Sequence, residues 1–187
     1  MDTNKNLIIG KNKYRILFSQ KQIANKVNEL AKKIATKYQN EGNPPILIYV
    51  LNGAMVFGVH LSESLDALGL VHQIDTVGLG RYNLKEQGGD IKLFSQPRAD
   101  LSNRDLIVIE DVIDEGCTMN FLNDYLKACQ PKSITFCALG LKAHHKLLNF
   151  SVRYIGFNQL GPEWLVGYGM DSEGCYRSLS DIYIKID

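Results

Sequence analysis

Apolar positions along this chain follow two alternating periods. Ile23, Val27, Leu30, Ala31, Ile34 and Tyr38 recur every three or four residues, the spacing of a helix that turns one stripe toward a core. Ser19, with Gln22 three residues on, forms a capping box ahead of that stripe, and together they predict a helix of about 20 residues. Pro44-Pro45 closes the segment. Ile46 to Leu51 is then an unbroken apolar, partly β-branched run, as required of a strand buried on both faces. Asn52-Gly53 ends it, Leu61, Leu65 and Leu68 predict a second helix closed by Gly69, and Val71 to Val77 reads as another strand.

Residues 78 to 105 differ in texture. Gly78, Gly80, Gly88, Gly89 and Pro97 stand among polar side chains, and Asp90 to Phe94 alternates, which predicts a mobile loop leading into a hairpin. Leu106 to Ile109 is a third buried-strand pattern. Phe121, Leu122, Tyr125, Leu126 and Cys129 return to helical spacing, Ser133 to Leu139, Val152 to Phe157 and Trp164 to Tyr168 read as strands, and Asp181 to Ile186 alternates like a terminal edge strand. Strands alternating with helices imply an α/β fold with a mainly parallel central sheet flanked by helices. No repeat, low-complexity tract or linker interrupts the pattern, so residues 1–187 are expected to form one domain.

Composition removes several classes of function. Lys+Arg 21 against Asp+Glu 20 gives a net charge of +1, so nothing draws the whole molecule to nucleic acid or anionic lipid, and neither partner is expected. Any anion must be held by a local site. The four cysteines, Cys117, Cys129, Cys137 and Cys175, show no CxxC pair and no zinc-finger spacing, which points to reduced, structural thiols. Asp2, Lys5, Lys11, Lys13 and Arg15 interrupt the first twenty positions, unlike a secretory leader, and Ile46 to Leu61 is broken by Asn52, Gly53, Gly58 and His60, short of a membrane span. A cytoplasmic protein is expected.

In parallel sheets ligands bind beyond the carboxyl ends of the strands. The stretch Leu106 to Met119 places Glu110, Asp111, Asp114 and Glu115 directly after a buried run. Four acids so close repel one another and lose hydration, so the fold tolerates them only if hydroxyl donors or a divalent cation compensate. Gly116 and Thr118 follow where a helix begins, and the free N–H groups of such a turn, with a hydroxyl, cradle a phosphate. The bland alternative is an acidic, solvated turn. The segment is not a Walker A loop, because the Gly-Lys-Ser/Thr ending is missing.

Glu110-Asp111-Val112-Ile113-Asp114-Glu115-Gly116-Cys117-Thr118 resembles the phosphoribosyl-diphosphate signature of type I phosphoribosyltransferases, the hypoxanthine-guanine branch in particular. The resemblance runs in order from about Ile46 to the end. It implies that fold, with a small hood from the N- and C-terminal segments, and purine salvage: hypoxanthine or guanine plus phosphoribosyl diphosphate gives IMP or GMP and pyrophosphate. Glu110 and Asp111 then face the ribose hydroxyls, and the turn from Asp114 through Glu115, Gly116 and Cys117 to Thr118 holds the 5-phosphate. Asp114 is the candidate general base, near N7 of the purine. Leu51-Asn52-Gly53 matches a Leu-X-Gly pyrophosphate loop that often contains a cis non-proline peptide, and Arg177 is the later pyrophosphate contact. Lys142 donates to the 6-oxo group, Trp164 stacks on the base and the Leu165 carbonyl reads its exocyclic edge. Asp171 lies beside the purine and, with Glu110 and Asp111, is expected to hold Mg2+. Related proteins form dimers and tetramers, so a homodimer or homotetramer acting on small-molecule substrates is expected.

Two departures stand out. Glu115 replaces the usual threonine, and a carboxylate about 5 Å from a phosphate costs roughly 1 to 3 kcal/mol at effective dielectrics of about 20 to 80, unless it points away. The mobile loop usually carries Ser-Tyr, whereas Arg81 precedes Tyr82 here. Two alternatives stay open: transfer to xanthine or another base, and a nucleotide-binding regulator of the same fold with weakened turnover.

Overall fold

A computed structural model describes residues 7–9, 11–81, 91–143 and 148–186. Thirteen elements follow one another among them: β1 (Leu7–Ile9), β2 (Asn12–Phe18), α1 (Gln20–Tyr38), β3 (Ile46–Leu51), α2 (Ala54–Ala67), β4 (Gln73–Arg81), β5 (Ile91–Ser95), β6 (Asp105–Ile113), α3 (Cys117–Ala128), β7 (Ser133–Lys142), β8 (Val152–Leu160), β9 (Leu165–Val166) and β10 (Ile182–Lys185). Six strands form the larger sheet in the order β5-β4-β3-β6-β7-β8, parallel throughout except for the antiparallel β4–β5 edge. β1-β2-β10-β9 make a second, antiparallel sheet from the two ends of the chain, the hood that the resemblance implied.

β3 and β6 pair at the centre, where Ile46, Leu47, Ile48, Leu106, Ile107, Val108 and Ile109 have no exposed surface. A strand covered on both faces has no polar side to alternate with, hence its continuous apolar run. α1 buries the predicted stripe, and its capping box is present, with the Ser19 N–H donating to Gln22 Oε1 at 2.9 Å. Asp181 adds a cap from the hood by accepting the Gln20 N–H at 2.7 Å. α2 ends before Gly69, whose φ of 75° makes the left-handed exit that closes a helix.

Several boundaries differ from the sequence reading. β4 begins after the exposed Val71 and continues through Gly78 and Gly80; the ring of Phe94 on β5 lies where a side chain at Gly78 would stand and in ordinary contact beside Gly80. Gly78 thus marks a close approach inside a strand, and both glycines belong to the strand rather than to a loop. β6 runs on to Ile113, so Glu110 and Asp111 belong to the strand rather than following it, and β7 runs on to Lys142. β9 is shorter than Trp164 to Tyr168, and β10 is no edge strand, since it lies between β2 and β9. The β1–β2 hairpin had no counterpart in the sequence reading.

Candidate active site

Because β3, β6 and β7 are neighbours and parallel, their carboxyl ends, Leu51, Ile113 and Lys142, open on the same edge. The Leu51–Asn52 peptide is cis. Gly53 follows, and the Asp111 carboxylate occupies the space a side chain there would take. On its other side the Gly53 carbonyl contacts the α-carbon region of Gly169. Three distant segments thus meet on one glycine.

Beyond β6, Asp114 and Glu115 are exposed, and Gly116 (φ 101°) turns the chain into α3. First-turn N–H groups of a helix lack carbonyl partners within it. A cavity of about 500 Å³ opens in front of them, lined by Glu110, Val112, Asp114, Glu115, Gly116, Cys117, Thr118 and Trp164, among others. A second cavity of about 180 Å³ is lined by Asp111, Val112, Asp114, Lys142, Trp164, Leu165, Met170 and Asp171. Val112, Asp114 and Trp164 line both, so the two form one bipartite cleft.

Lys142 is buried and donates from Nζ to Asp114 Oδ2 at 2.8 Å. An ammonium taken out of water needs such a carboxylate. Trp164 is 61% exposed, yet its Nε1–H is pinned to the Asp171 carbonyl at 2.8 Å, which presents an oriented aromatic surface to the cleft. Asp171 Oδ1 pairs with Arg177 Nη2 at 2.8 Å, its Oδ2 accepts the Gly174 N–H at 2.7 Å, and Arg177 Nη1 donates to the Gly169 carbonyl at 2.7 Å. The Asp–Arg pair is therefore present and also ties down the loop beside Gly53.

The acids of β6 are short of compensation. Burial pushes the Glu110 carboxyl well above the usual range, and the neighbouring Asp111 carboxylate adds to the effect. Burial also raises Asp111, opposed by hydrogen bonds from Glu110 and the Val112 N–H and by the Arg177 charge. Among the described residues Glu110 Oε2 is buried without a hydrogen-bond partner, an arrangement suited to ligand hydroxyls or a cation. A carboxyl whose pKa is raised on folding favours the folded state fully below the ordinary carboxylate range, and that contribution fades as pH rises through the raised value. Glu110→Gln is accordingly expected to raise the Tm of the ligand-free protein by about 3 °C in mildly alkaline buffer, the shift that about 1 kcal/mol gives a chain of this size, and by less in mild acid. Thermal melts of both proteins across pH check this; an advantage that shrinks toward alkaline pH contradicts it.

The structure thus brings Glu110, Asp111, Asp114, Glu115, Gly116, Cys117, Thr118, Lys142, Trp164, Leu165 and Asp171 around one cleft. Leu51, Asn52, Gly53 and Arg177 stand at its Asp111 and Asp171 side. Arg81 closes β4, opposite Ile91, and Tyr82 lies outside the described residues. Sequence reasoning missed Val112, the apolar residue between the two halves, and Met170. It also passed over Tyr168, whose Gly-Tyr-Gly setting was the available signal. Among the described residues no three His, Cys, Asp or Glu side chains converge as a metal cage, and no helix is long and apolar enough to cross a membrane.

A mostly parallel sheet whose central strand ends in buried acids, a glycine-opened turn into α3 and a second sheet from the two ends of the chain make a phosphoribosyltransferase architecture. The family model described as phosphoribosyl transferase domain matches residues 14–173, and the chain belongs to that family. Among its relatives, hypoxanthine phosphoribosyltransferase of Buchnera aphidicola is 32% identical over 172 residues, covering 90% of this chain and 94% of that protein. Hypoxanthine-guanine phosphoribosyltransferase of Aquifex aeolicus is 29% identical over 177 residues, covering 94% and 96%. Among solved structures, hypoxanthine phosphoribosyltransferase of Trypanosoma cruzi superposes with a TM-score of 0.86 at 26% identity, over 92% of this chain and 91% of that one. A hypoxanthine-guanine phosphoribosyltransferase of Bacillus anthracis gives 0.82 at 32% identity, over 92% and 98%.

Proposed function

We propose that this chain, working as one domain, joins hypoxanthine or guanine to phosphoribosyl diphosphate, releasing pyrophosphate and leaving IMP or GMP. The observation that carries the reading is the bipartite cleft, in which Asp114 lies between a slot holding Lys142 and Trp164 and a pocket ending at the phosphate turn. A planar oxopurine in the slot lies against Trp164, accepts from Lys142 Nζ at its 6-oxo group and meets the Leu165 carbonyl at its exocyclic edge. The sugar then lies beside Glu110 and Asp111, with its 5-phosphate on the turn from Asp114 to Thr118, where Cys117 begins α3.

Bond formation between N9 and C1 of the ribose displaces pyrophosphate, building positive charge on the sugar and negative charge on the leaving group. Carboxylates near the one and Arg177 with the 51–53 turn near the other answer both. Asp114 takes the proton leaving N7. As the 6-oxo group engages Lys142, the ammonium is shared away from Asp114, which makes that carboxylate more basic as its proton arrives. The donor set suits magnesium carried by the substrate, since this ion takes one or two carboxylates and completes its shell with phosphate and water. One or two of Asp171, Glu110 and Asp111 would hold it at a time, since no three such side chains converge among the described residues, and the unsatisfied Glu110 oxygen supports a carboxylate ligand there. When bound, the ion supplies charge neutralisation on the diphosphate.

We also propose a cytoplasmic homodimer or homotetramer, supported by the exposed Met55 and Val59 one turn apart on α2.

The test supplies hypoxanthine, guanine, xanthine or uracil with phosphoribosyl diphosphate and follows pyrophosphate, with and without magnesium. Magnesium-dependent release with hypoxanthine or guanine is expected. Binding is read separately from Trp164, the chain's one tryptophan, whose emission should fall as a nucleotide stacks on it. No release with any base, together with quenching by nucleotide, would replace this reading with a regulator.

A further inference from the structure

His60, in the second turn of α2, and Tyr168, in the hood-side loop, belong to none of the roles above. Their side chains meet at 2.8 Å, His60 Nδ1 to the Tyr168 hydroxyl, with ring centroids 5.4 Å apart. Tyr168 is 3% exposed. Burial, with the Glu63 charge nearby, pushes its phenol up, so it stays protonated. Its backbone is unusual: Gly167, Tyr168 and Gly169 all have positive φ, of 96°, 52° and 103°. Two backbone bonds at 2.8 Å, Tyr168 N–H to the Leu179 carbonyl and Gly169 N–H to the Arg177 carbonyl, lock this turn to the segment carrying Arg177.

The partners of that turn explain why its position matters. α2 starts at Ala54, directly after the 51–53 turn, so His60 moves with that turn as one rigid piece. Tyr168 moves with Gly169, whose carbonyl accepts from Arg177, and Asp171 follows shortly. Gly53 and Gly169 already touch, so any slack between the two pieces shifts the donors of one relative to the other. We propose that the His60–Tyr168 hydrogen bond is a positioning clamp that fixes the distance between the 51–53 turn and the Asp171–Arg177 pair, and thereby sets affinity for the diphosphate end of the substrate. This rests on the function proposed above. Neither residue lines either half of the cleft, so the clamp acts on substrate only through the segments it joins. A third cavity of about 550 Å³, between α1, α2 and residues 178–180, has both residues in its wall, while the Tyr168 ring packs into the core, so removing its hydroxyl tests the bond and leaves the ring's packing in place.

Tyr168→Phe removes only the hydroxyl, His60→Ala removes its partner, and His60→Asn keeps a polar atom near the Nδ1 position. KM for phosphoribosyl diphosphate and the Kd for magnesium pyrophosphate, measured by calorimetry, are expected to rise about five- to tenfold in the first two. KM for hypoxanthine should rise less than either diphosphate constant, because Lys142 on β7 and Leu165 on β9 hold the base from elements the clamp does not join, and His60→Asn should return both diphosphate constants close to wild type. A loss of folding alone would weaken both substrates alike, and that result, unchanged constants, or failure of His60→Asn to restore them overturns the clamp. The two readings separate cleanly. Wild-type protein that binds pyrophosphate but turns over no base refutes the proposed function while the calorimetric comparison still decides the clamp, and active variants with unchanged diphosphate constants do the reverse.

Discussion

Asp114→Asn is expected to lower kcat by about two to four orders of magnitude, the range over which a positioned general base accelerates a proton transfer, while nucleotide affinity read from Trp164 emission changes by less than about tenfold. The asymmetry follows from the geometry. Asn keeps the shape of the side chain and an oxygen to accept from Lys142 at the 2.8 Å contact, so the slot stays assembled and the buried ammonium keeps a partner. Only the capacity to hold the N7 proton is lost. Steady-state kinetics with saturating hypoxanthine and phosphoribosyl diphosphate, run beside the fluorescence titration, separate the two quantities. A kcat within about threefold of wild type would remove Asp114 from its role and leave Lys142 paired with a merely structural carboxylate.

Gly116→Ala is expected to lower kcat/KM for phosphoribosyl diphosphate by about a hundredfold. At φ 101° a side chain is strained whatever the space, and here a new Cβ would also come within 2.9 Å of the Leu148 side chain and 3.3 Å of its backbone nitrogen. Relief requires the turn to open, and the turn holds the N–H groups on which the phosphate is proposed to rest. A backbone strain of about 1 to 3 kcal/mol, expressed in binding at 1.4 kcal/mol per factor of ten, accounts for most of that loss. Gly69 is the control: its φ is also positive, at 75°, but nothing stands within 4 Å of its missing side chain, and it closes α2 away from the cleft. Gly69→Ala should cost stability and leave both KM values alone. Equal kinetic effects from the two substitutions would show that Gly116 serves the fold and not the phosphate.

The parts legible in the sequence were those governed by local physics. Ile46 to Leu51 and Leu106 to Ile109 announced buried central strands because burial on both faces leaves no polar position. The acids from Glu110 to Glu115, followed by Gly116, pointed to a candidate ligand site because no cationic residue stands among them in the sequence. The hood was harder to read from pattern, since β2 finds its partner β10 from the opposite end of the chain and no local period records that pairing. Strand ends were misjudged for a related reason. Gly78 and Gly80 read as loop until Phe94 is seen lying over them, and Glu110 and Asp111 read as loop because a strand that ends in a binding cleft carries polar side chains where a core strand would not. The Lys142–Asp114 pair, 28 residues apart in sequence, and the His60–Tyr168 bond, 108 apart, depend on register and crossing geometry that composition does not encode.

The contact of Asp111, Gly53 and Gly169 at one point also bears on how such a cleft changes over generations. Each of the three limits the volume available to the next, so an altered residue at one position is accommodated only when a neighbour shrinks or withdraws, and effects measured singly will not sum. Attempts to redirect this enzyme toward other sugar diphosphates would therefore fare poorly by stepwise substitution around that point, and better by varying the three positions together.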